Sequence, residues 1–254
     1  MKKTVFITGA TSGIGKACAI KFAQSNYRVI ISGRRSNLLN ELSRELTSEF
    51  NAEVLALPFD VRIRTEVEAA IQSLTPDWKN IDVLVNNAGL AAGLNPIDEG
   101  SFDDWESMID TNLKGMLYVT KYILPLMIQN HAGHIINIGS IAGRDVYPNG
   151  NVYCASKFAV DGLSKGMRMD LLRHDIKVTQ VLPGAVETEF SLVRFKQDTE
   201  RVKNTYNGYK PLTGDDVAEV VYFAANVPSH VNINDVTVVP ANQASTTLIH
   251  RKNS

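Results

Sequence analysis

One pattern constrains this chain more than any other: a short run rich in Val and Ile, then a longer stretch with helical periodicity, repeated from one end to the other. Thr4–Ile7, Arg28–Ser32, Val54–Pro58, Ile81–Val85, His134–Ile138, Lys177–Leu182 and Asn234–Val239 read as seven strands. Between them, Gly15–Gln24, Ser36–Phe50, Arg64–Leu74, Phe102–Met127 (one long or broken helix), Tyr153–His174 and Thr213–Ala225 read as helices. In Ser36–Phe50 the residues Leu38, Leu39, Leu42 and Leu46 share one face. The last helix starts at Thr213, with Asp215 and Asp216 in its first turn, where negative charge meets the positive end of the helix dipole. Strands that are nearly continuous β-branched runs are buried on both faces, as in a parallel sheet covered by helices. The alternation therefore predicts an α/β fold, one doubly wound domain with a seven-stranded parallel sheet and helices on both faces. No repeat, low-complexity tract or Pro/Ser-rich linker offers a boundary, so a single domain is expected over 1–254. Glu187–Pro211 is the exception, being long, polar and rich in aromatics. It follows the sixth strand, at the sheet edge where open α/β folds bind ligands, so 187–211 is expected to form a substrate lid.

Composition excludes several classes of function. Formal net charge is −1, so bulk electrostatics point to no polyanion and no nucleic-acid partner. No apolar run is long enough for a membrane span. Met1-Lys2-Lys3 is basic, but Val5-Phe6-Ile7 is cut off by Gly9, too short for a signal-peptide core. A cytoplasmic protein is expected. Cys18 and Cys154 sit in no CxxC or metal-spaced cluster, so neither a disulfide framework nor a metal site is expected, and Cys154 reads as a small packed residue. The five histidines are scattered; His131 and His134 share a loop-like stretch and read as surface residues.

The first strand runs into Thr8-Gly9-Ala10-Thr11-Ser12-Gly13-Ile14-Gly15. Glycines here permit tight turning and close approach of a pyrophosphate, and the helix that follows presents free N–H groups to it. A strand before and a helix after make this a dinucleotide loop, with Gly9, Thr11, Ser12, Gly13 and Ile14 as cofactor contacts. The second strand ends in Ser32-Gly33-Arg34-Arg35. An acidic residue there would bind ribose hydroxyls, whereas two guanidinium groups with no carboxylate in the cluster suit a 2′-phosphate, so the expected cofactor is NADP.

Tyr153 and Lys157 lie four residues apart on one predicted helix, hence on one face. A free tyrosine titrates near ~10, and a nearby ammonium stabilises its phenolate. Tyr153 thus reads as a general acid in carbonyl reduction and a base in the reverse reaction.

The glycine spacing is Gly-x-x-x-Gly-x-Gly, which resembles that of the short-chain dehydrogenase/reductase family, with its Rossmann-type fold. Asn86-Asn87-Ala88-Gly89 after the fourth strand, Ser140, Tyr153-Cys154-Ala155-Ser156-Lys157 and Pro183-Gly184 after the sixth strand are similar to that family's further motifs, in its order. The resemblance implies that Ser140 holds and polarises the substrate oxygen. It implies that Lys157 also bonds the nicotinamide ribose and that Asn112 orients Lys157 through water. It adds Asp60, Val61, Asn87, Ala88, Gly89, Pro183, Gly184, Val186 and Thr188 to the cofactor contacts, although Asp60 reads equally well as a cap for the helix that follows. A homotetramer is expected on the same ground. Asp104-Trp105-Glu106, Gly150-Asn151-Val152-Tyr153, Glu189–Phe195 and His230–Asn234 are similar to one subgroup, the NADP-dependent 3-hydroxy acid (serine or L-allo-threonine) dehydrogenases. That implies a small 3-hydroxy acid as substrate and a cation for its carboxylate: Arg194 in the expected lid is the first candidate, Arg144 the second. A carbonyl reductase for a sulfonated aldehyde, ketone or sugar, or an NADPH-binding protein without turnover, are the alternatives.

Overall fold

The computed structural model describes residues 2–252. The strands are β1 (Thr4–Thr8), β2 (Arg28–Gly33), β3 (Val54–Pro58), β4 (Val83–Asn86), β5 (Gly133–Ile138), β6 (Ile176–Pro183) and β7 (Asp235–Val238). The helices are α1 (Gly13–Gln24), α2 (Ser36–Phe50), α3 (Arg64–Gln72), α4 (Phe102–Ile109), α5 (Met116–Gln129), α6 (Asn151–Leu171), α7 (Glu189–Arg194), α8 (Thr199–Tyr206) and α9 (Gly214–Ala225). All seven predicted strands appear, with ends shifted by a residue or two. Just before β4, the Asp82 carboxylate accepts the Thr4 amide N–H at 2.7 Å.

The strands form one all-parallel sheet ordered β3-β2-β1-β4-β5-β6-β7. Side chains alternate across it, and both faces are apolar, which is why the strands read as unbroken Val/Ile runs. Val5, Ile7, Val29, Ile31, Val83 and Val85 meet Phe22 of α1, Leu39, Leu42 and Leu46 of α2, and Val217 and Val221 of α9. Phe6, Ile30, Leu84, Ile135 and Val178 meet Val67 and Ile71 of α3, and Val119, Ile123 and Met127 of α5. Each such side chain contributes about 1.5–3 kcal/mol through burial. α9 opens on the expected cap: Thr213 Oγ1 accepts the Asp216 N–H, and Asp216 Oδ2 accepts the Thr213 N–H.

The chain leaves β1 toward β2 on one side and returns from β3 to β4 on the other. The order therefore reverses between β1 and β4, and open α/β folds bind ligands beyond the carboxyl ends at such a reversal. Four strand ends converge there, at Thr8, Asn86, Ile138 and Pro183.

Two regions depart from expectation. The predicted Phe102–Met127 helix is α4 and α5 joined by a π-helical turn, Asp110–Gly115. Residues 187–211 are not irregular, since they hold α7 and α8. Thr188 Oγ1 caps α7 by accepting the Phe190 N–H, and Asp198 Oδ1 caps α8 by accepting the Arg201 N–H. Lys196 and Gln197, with φ of 49° and 71°, turn the chain between them. His131 is exposed as expected, but His134 is not a surface residue. It lies inside β5 with Nε2 2.7 Å from Thr179 Oγ1, and burial, then the Lys177 charge, push its pKa down to about 3. Both cysteines are buried and unpaired. Among the described residues no helix is long and apolar enough to cross a membrane, and no cluster of metal-ligating side chains occurs.

Candidate active site

The glycine loop is tied to the loop after β4 by one threonine. Thr8 Oγ1 accepts the N–H groups of Asn87 (3.0 Å) and Ala88 (2.9 Å). Asn87 Nδ2 donates in return to the carbonyls of Thr8 and Gly9. Gly9 and Gly13 have φ of 66° and 54°, which side-chain-bearing residues rarely adopt. A Cβ on Gly15 would strike the Gly9 carbonyl and the Asn87 amide. The three glycines thus bring a backbone cradle close to the first turn of α1. Ser12, the residue before that helix, caps it with no side-chain bond, so its first N–H groups remain available to an anion.

A cleft of about 340 Å³ opens over this cradle. Gly9, Thr11, Ser12, Gly13 and Ile14 line it from the loop, and Arg34 and Arg35 from the end of β2. Asp60, Val61, Asn87, Ala88 and Gly89 line it from the loops after β3 and β4. Ser140, Tyr153, Lys157, Pro183, Gly184, Val186 and Thr188 join them, whereas Asn112, Arg144 and Arg194 stand outside its lining.

The arginine cluster is less free than its local sequence suggests. Arg35 donates through Nε and Nη2 to Thr11 Oγ1, and its Nη1 pairs with Glu189 Oε2 at 3.0 Å. Arg34 Nη1 is 4.0 Å from Asp60 Oδ2. Both carboxylates arrive from distant parts of the chain. Asp60 does not cap α3, whose capping residue is Ile63. Burial alone would raise the Asp60 pKa, but the Arg62 guanidinium and backbone N–H hold the carboxyl below its usual range.

At the other end, Ser140 leaves β5 and begins a single 3₁₀ turn, with its Oγ accepting the Ala142 N–H. Tyr153 and Lys157 rise from one face of α6, and all three side chains are buried. Lys157 Nζ donates to the Ile138 carbonyl at 3.0 Å, and burial lowers its pKa to about 8. The ammonium is 5.9 Å from the Tyr153 ring centre. Burial, then the Tyr147 phenol, push the Tyr153 pKa up, while the Ser140 hydroxyl and Arg194 pull it down. Lys157 is held beside the ring by the Ile138 carbonyl, and Arg194 is a second cation beside the same phenol. Asn112, on the π turn, is fixed by the Leu90 N–H and carbonyl (2.8 Å each) and by Ser156 Oγ, with no direct bond to Lys157.

α7 covers Tyr153. Phe190 stands edge-on to its ring at 5.7 Å, and the Arg194 guanidinium lies 5.6 Å from its centre and 5.2 Å from that of Tyr147. Among the described residues, Nε and Nη2 of Arg194 and the hydroxyl of Tyr147 are buried with no partner at hydrogen-bond distance, and burial pushes the Tyr147 pKa up while the guanidinium beside the phenol pulls it down. A second, much smaller cavity is lined by Arg194, Tyr153, Asn95, Asn151 and Trp105. Arg144 is elsewhere, paired with Asp161 (2.9 Å) and Asp235 (3.2 Å), so it drops out as a carboxylate ligand. Sequence reasoning missed Tyr147, Phe190 and Glu189. Tyr147 sits in an irregular loop with no periodic signal, and the other two were seen only as part of a similar stretch.

Residues 3–199 match the short chain dehydrogenase family. The chain belongs to that family. Its relatives include the NADP-dependent 3-hydroxy acid dehydrogenase of Salmonella typhi, 46% identical over 249 residues covering 97% of this chain and 99% of that protein. The serine 3-dehydrogenase of Agrobacterium fabrum is 40% identical over 244 residues, 96% of each chain. The closed form of a serine dehydrogenase complexed with NADP+ is 45% identical and superposes with a TM-score of 0.91, covering 98% of this chain and 100% of that one.

Proposed function

We infer that this short-chain dehydrogenase is an NADP-dependent oxidoreductase interconverting a small 3-hydroxy acid, of the serine, allo-threonine or 3-hydroxypropionate type, and its 3-oxo acid or semialdehyde. The half-buried Arg194 supports the substrate class most: its buried Nε and Nη2, without partners among the described residues, lie against the Tyr153 ring. A buried N–H without a partner is costly unless a ligand completes it, and a carboxylate answers two guanidinium N–H groups with parallel bonds. The Tyr147 hydroxyl adds a third donor. The names of the relatives point to the same chemistry.

The cradle fits a dinucleotide, because Gly9, Thr11, Ser12, Gly13 and Ile14 line the cleft at the open first turn of α1, and Arg34 and Arg35 suit a 2′-phosphate. NADP supplies or accepts the hydride when bound. Gly9, Thr11, Ser12, Gly13 and Ile14 would hold its pyrophosphate end, Asp60 and Val61 its adenine. Asn87, Ala88, Gly89, Pro183, Gly184, Val186 and Thr188 would hold the remainder. Ser140 and Tyr153 hold the substrate oxygen between two hydroxyls. A phenol kept neutral by burial is the form that donates a proton to that oxygen during carbonyl reduction. In the oxidation direction Tyr153 must first give up its proton, so oxidation is expected to keep rising with pH above neutrality while reduction does not. Lys157 contributes charge beside the phenol and a donor for the ribose. Asn112 acts behind it, steadying Leu90 and, through water, Lys157. Segment 187–211 is the lid of a single domain spanning 1–254, and it carries Arg194 to the substrate.

Two finer readings accompany this. Exposed Phe158, Met169 and Leu172 on and just beyond α6, with Ile109 and Leu117 near the π turn, support a homotetramer assembled through these helices. A reaction that draws on the cell's nicotinamide pool supports a cytoplasmic location.

The test is a panel of malonic semialdehyde, sulfoacetaldehyde and a neutral ketone, each followed at the nicotinamide absorbance with NADPH and with NADH. The carboxylate substrate with NADPH is expected to be fastest. A preference for the ketone would remove the acid reading, and a preference for NADH would remove the NADP reading.

A further inference from the structure

Arg35 is committed in two directions. Nε and Nη2 donate to Thr11 Oγ1 at 3.2 and 2.9 Å, and Nη1 faces Glu189 Oε2 at 3.0 Å. Thr11 belongs to the glycine loop. Glu189 opens α7, the six-residue helix that ends on Arg194 and sets Phe190 against Tyr153. One short helix therefore joins the guanidinium beside the glycine loop to the guanidinium beside Tyr153.

We propose that Glu189 sets the affinity of this site for the adenosine 2′-phosphate by competing with that phosphate for Arg35. The inference rests on the NADP reading above and goes beyond it, because that reading gives Glu189 no role. A 2′-phosphate is recognised by forked donation from a guanidinium. The fork of Arg35 holds a hydroxyl on one side and a carboxylate on the other. An arriving dianion must share the arginine with Glu189, at a cost in like-charge repulsion, or displace Glu189. Arg34 is under weaker restraint: its nearest carboxylate, on Asp60, is 4.0 Å away and already held by Arg62 at 2.6 Å. Arg35 is thus the one of the pair whose availability depends on the lid. A dinucleotide without the phosphate does not meet this competition, so Glu189 acts on the difference between NADPH and NADH.

The size of the effect follows from exposure. The Arg35 and Glu189 side chains are 45% and 50% exposed, so solvent screens their attraction. A difference of about two- to five-fold in Kd is expected at low salt, shrinking as the ionic strength rises.

The test is calorimetric titration of NADPH and NADH into wild type, Glu189→Gln, Arg35→Ala and the double variant, at about 50 mM and about 500 mM salt. Glu189→Gln is expected to tighten NADPH about three-fold at the lower salt, less at the higher, with NADH unchanged and no gain when Arg35 is already Ala. NADPH binding that is unchanged or weaker in Glu189→Gln overturns the proposal. So does an equal gain for NADH, or an undiminished gain in the Arg35→Ala background. Wild type binding NADH as tightly as NADPH would instead overturn the NADP reading beneath it, whatever Glu189 does.

Discussion

The glycine loop after β1 and the 187–211 segment after β6 both line the cleft, and they treat their polar groups in opposite ways. In the first, the Thr8 hydroxyl and the Asn87 amide answer one another's backbone groups, leaving the site to be made of peptide N–H and absent side chains. In the second, the decisive group is a side chain, Arg194, whose buried Nε and Nη2 find no partner among the described residues. The first region is finished without its ligand and the second is not. A backbone cradle admits any dinucleotide of the right shape and leaves the 2′-phosphate to Arg34 and Arg35, while the Arg194 guanidinium is suited to one functional group of the substrate. Tyr153 stands between the two, lining both cavities.

If Tyr153 is the shared chemical centre, Tyr153→Phe should lower kcat about a thousandfold and leave NADPH affinity unchanged by titration. The contrast itself is probed by Arg194→Met. It should raise KM for a 3-hydroxy acid about a hundredfold and that for a neutral alcohol hardly at all. Because the guanidinium is incomplete without substrate, the same change should leave Tm unaltered or raised. A large loss of stability would mean that Arg194 is a structural residue and that the two regions are alike. Arg194→Lys should not restore KM, since a single ammonium lacks the planar fork.

His134 offers a control, an unpartnered buried nitrogen, Nδ1, that faces no cavity. Its pKa is about 3 in the folded protein against an ordinary 6.5, so the unfolded chain takes up the proton first as pH falls. Stability should therefore fall on acidification below about 6.5, by about 2 kcal/mol at about pH 5, and the loss should level off below about pH 3. Denaturant midpoints of wild type and His134→Leu at neutral and acid pH read this, the variant having lost that part of the pH dependence. A smaller effect belongs to the cofactor end, where Arg35→Ala should weaken NADPH about ten-fold and NADH not at all.

The same contrast explains what could be read from the sequence. Backbone-built features leave local marks. Gly9, Gly13 and Gly15 occur where a strand meets a helix, and Tyr153 and Lys157 occur one helical turn apart, so the loop and the α6 pair were legible. The sheet was legible because burial on both faces forces unbroken Val/Ile runs such as Val83–Val85. Features built by side chains from distant segments leave none. Nothing near Arg34 and Arg35 announces that Glu189 comes from 154 residues away, or that Asp60 turns to Arg62 instead of capping α3. The His134 misreading has a related cause: Gly133 beside it looks like a turn, but the backbone is already in β5. Helical spacing placed Lys157 beside Tyr153 but could not reveal its other partner, the Ile138 carbonyl.

The measurement closest to the centre of this account compares 3-hydroxypropionate with its carboxamide under saturating NADP+, using the wild-type protein. The two differ only in the charged group that Arg194 is taken to hold. The account predicts a kcat/KM about a hundredfold lower for the amide, nearly all of it in KM. Equal values for acid and amide would contradict it.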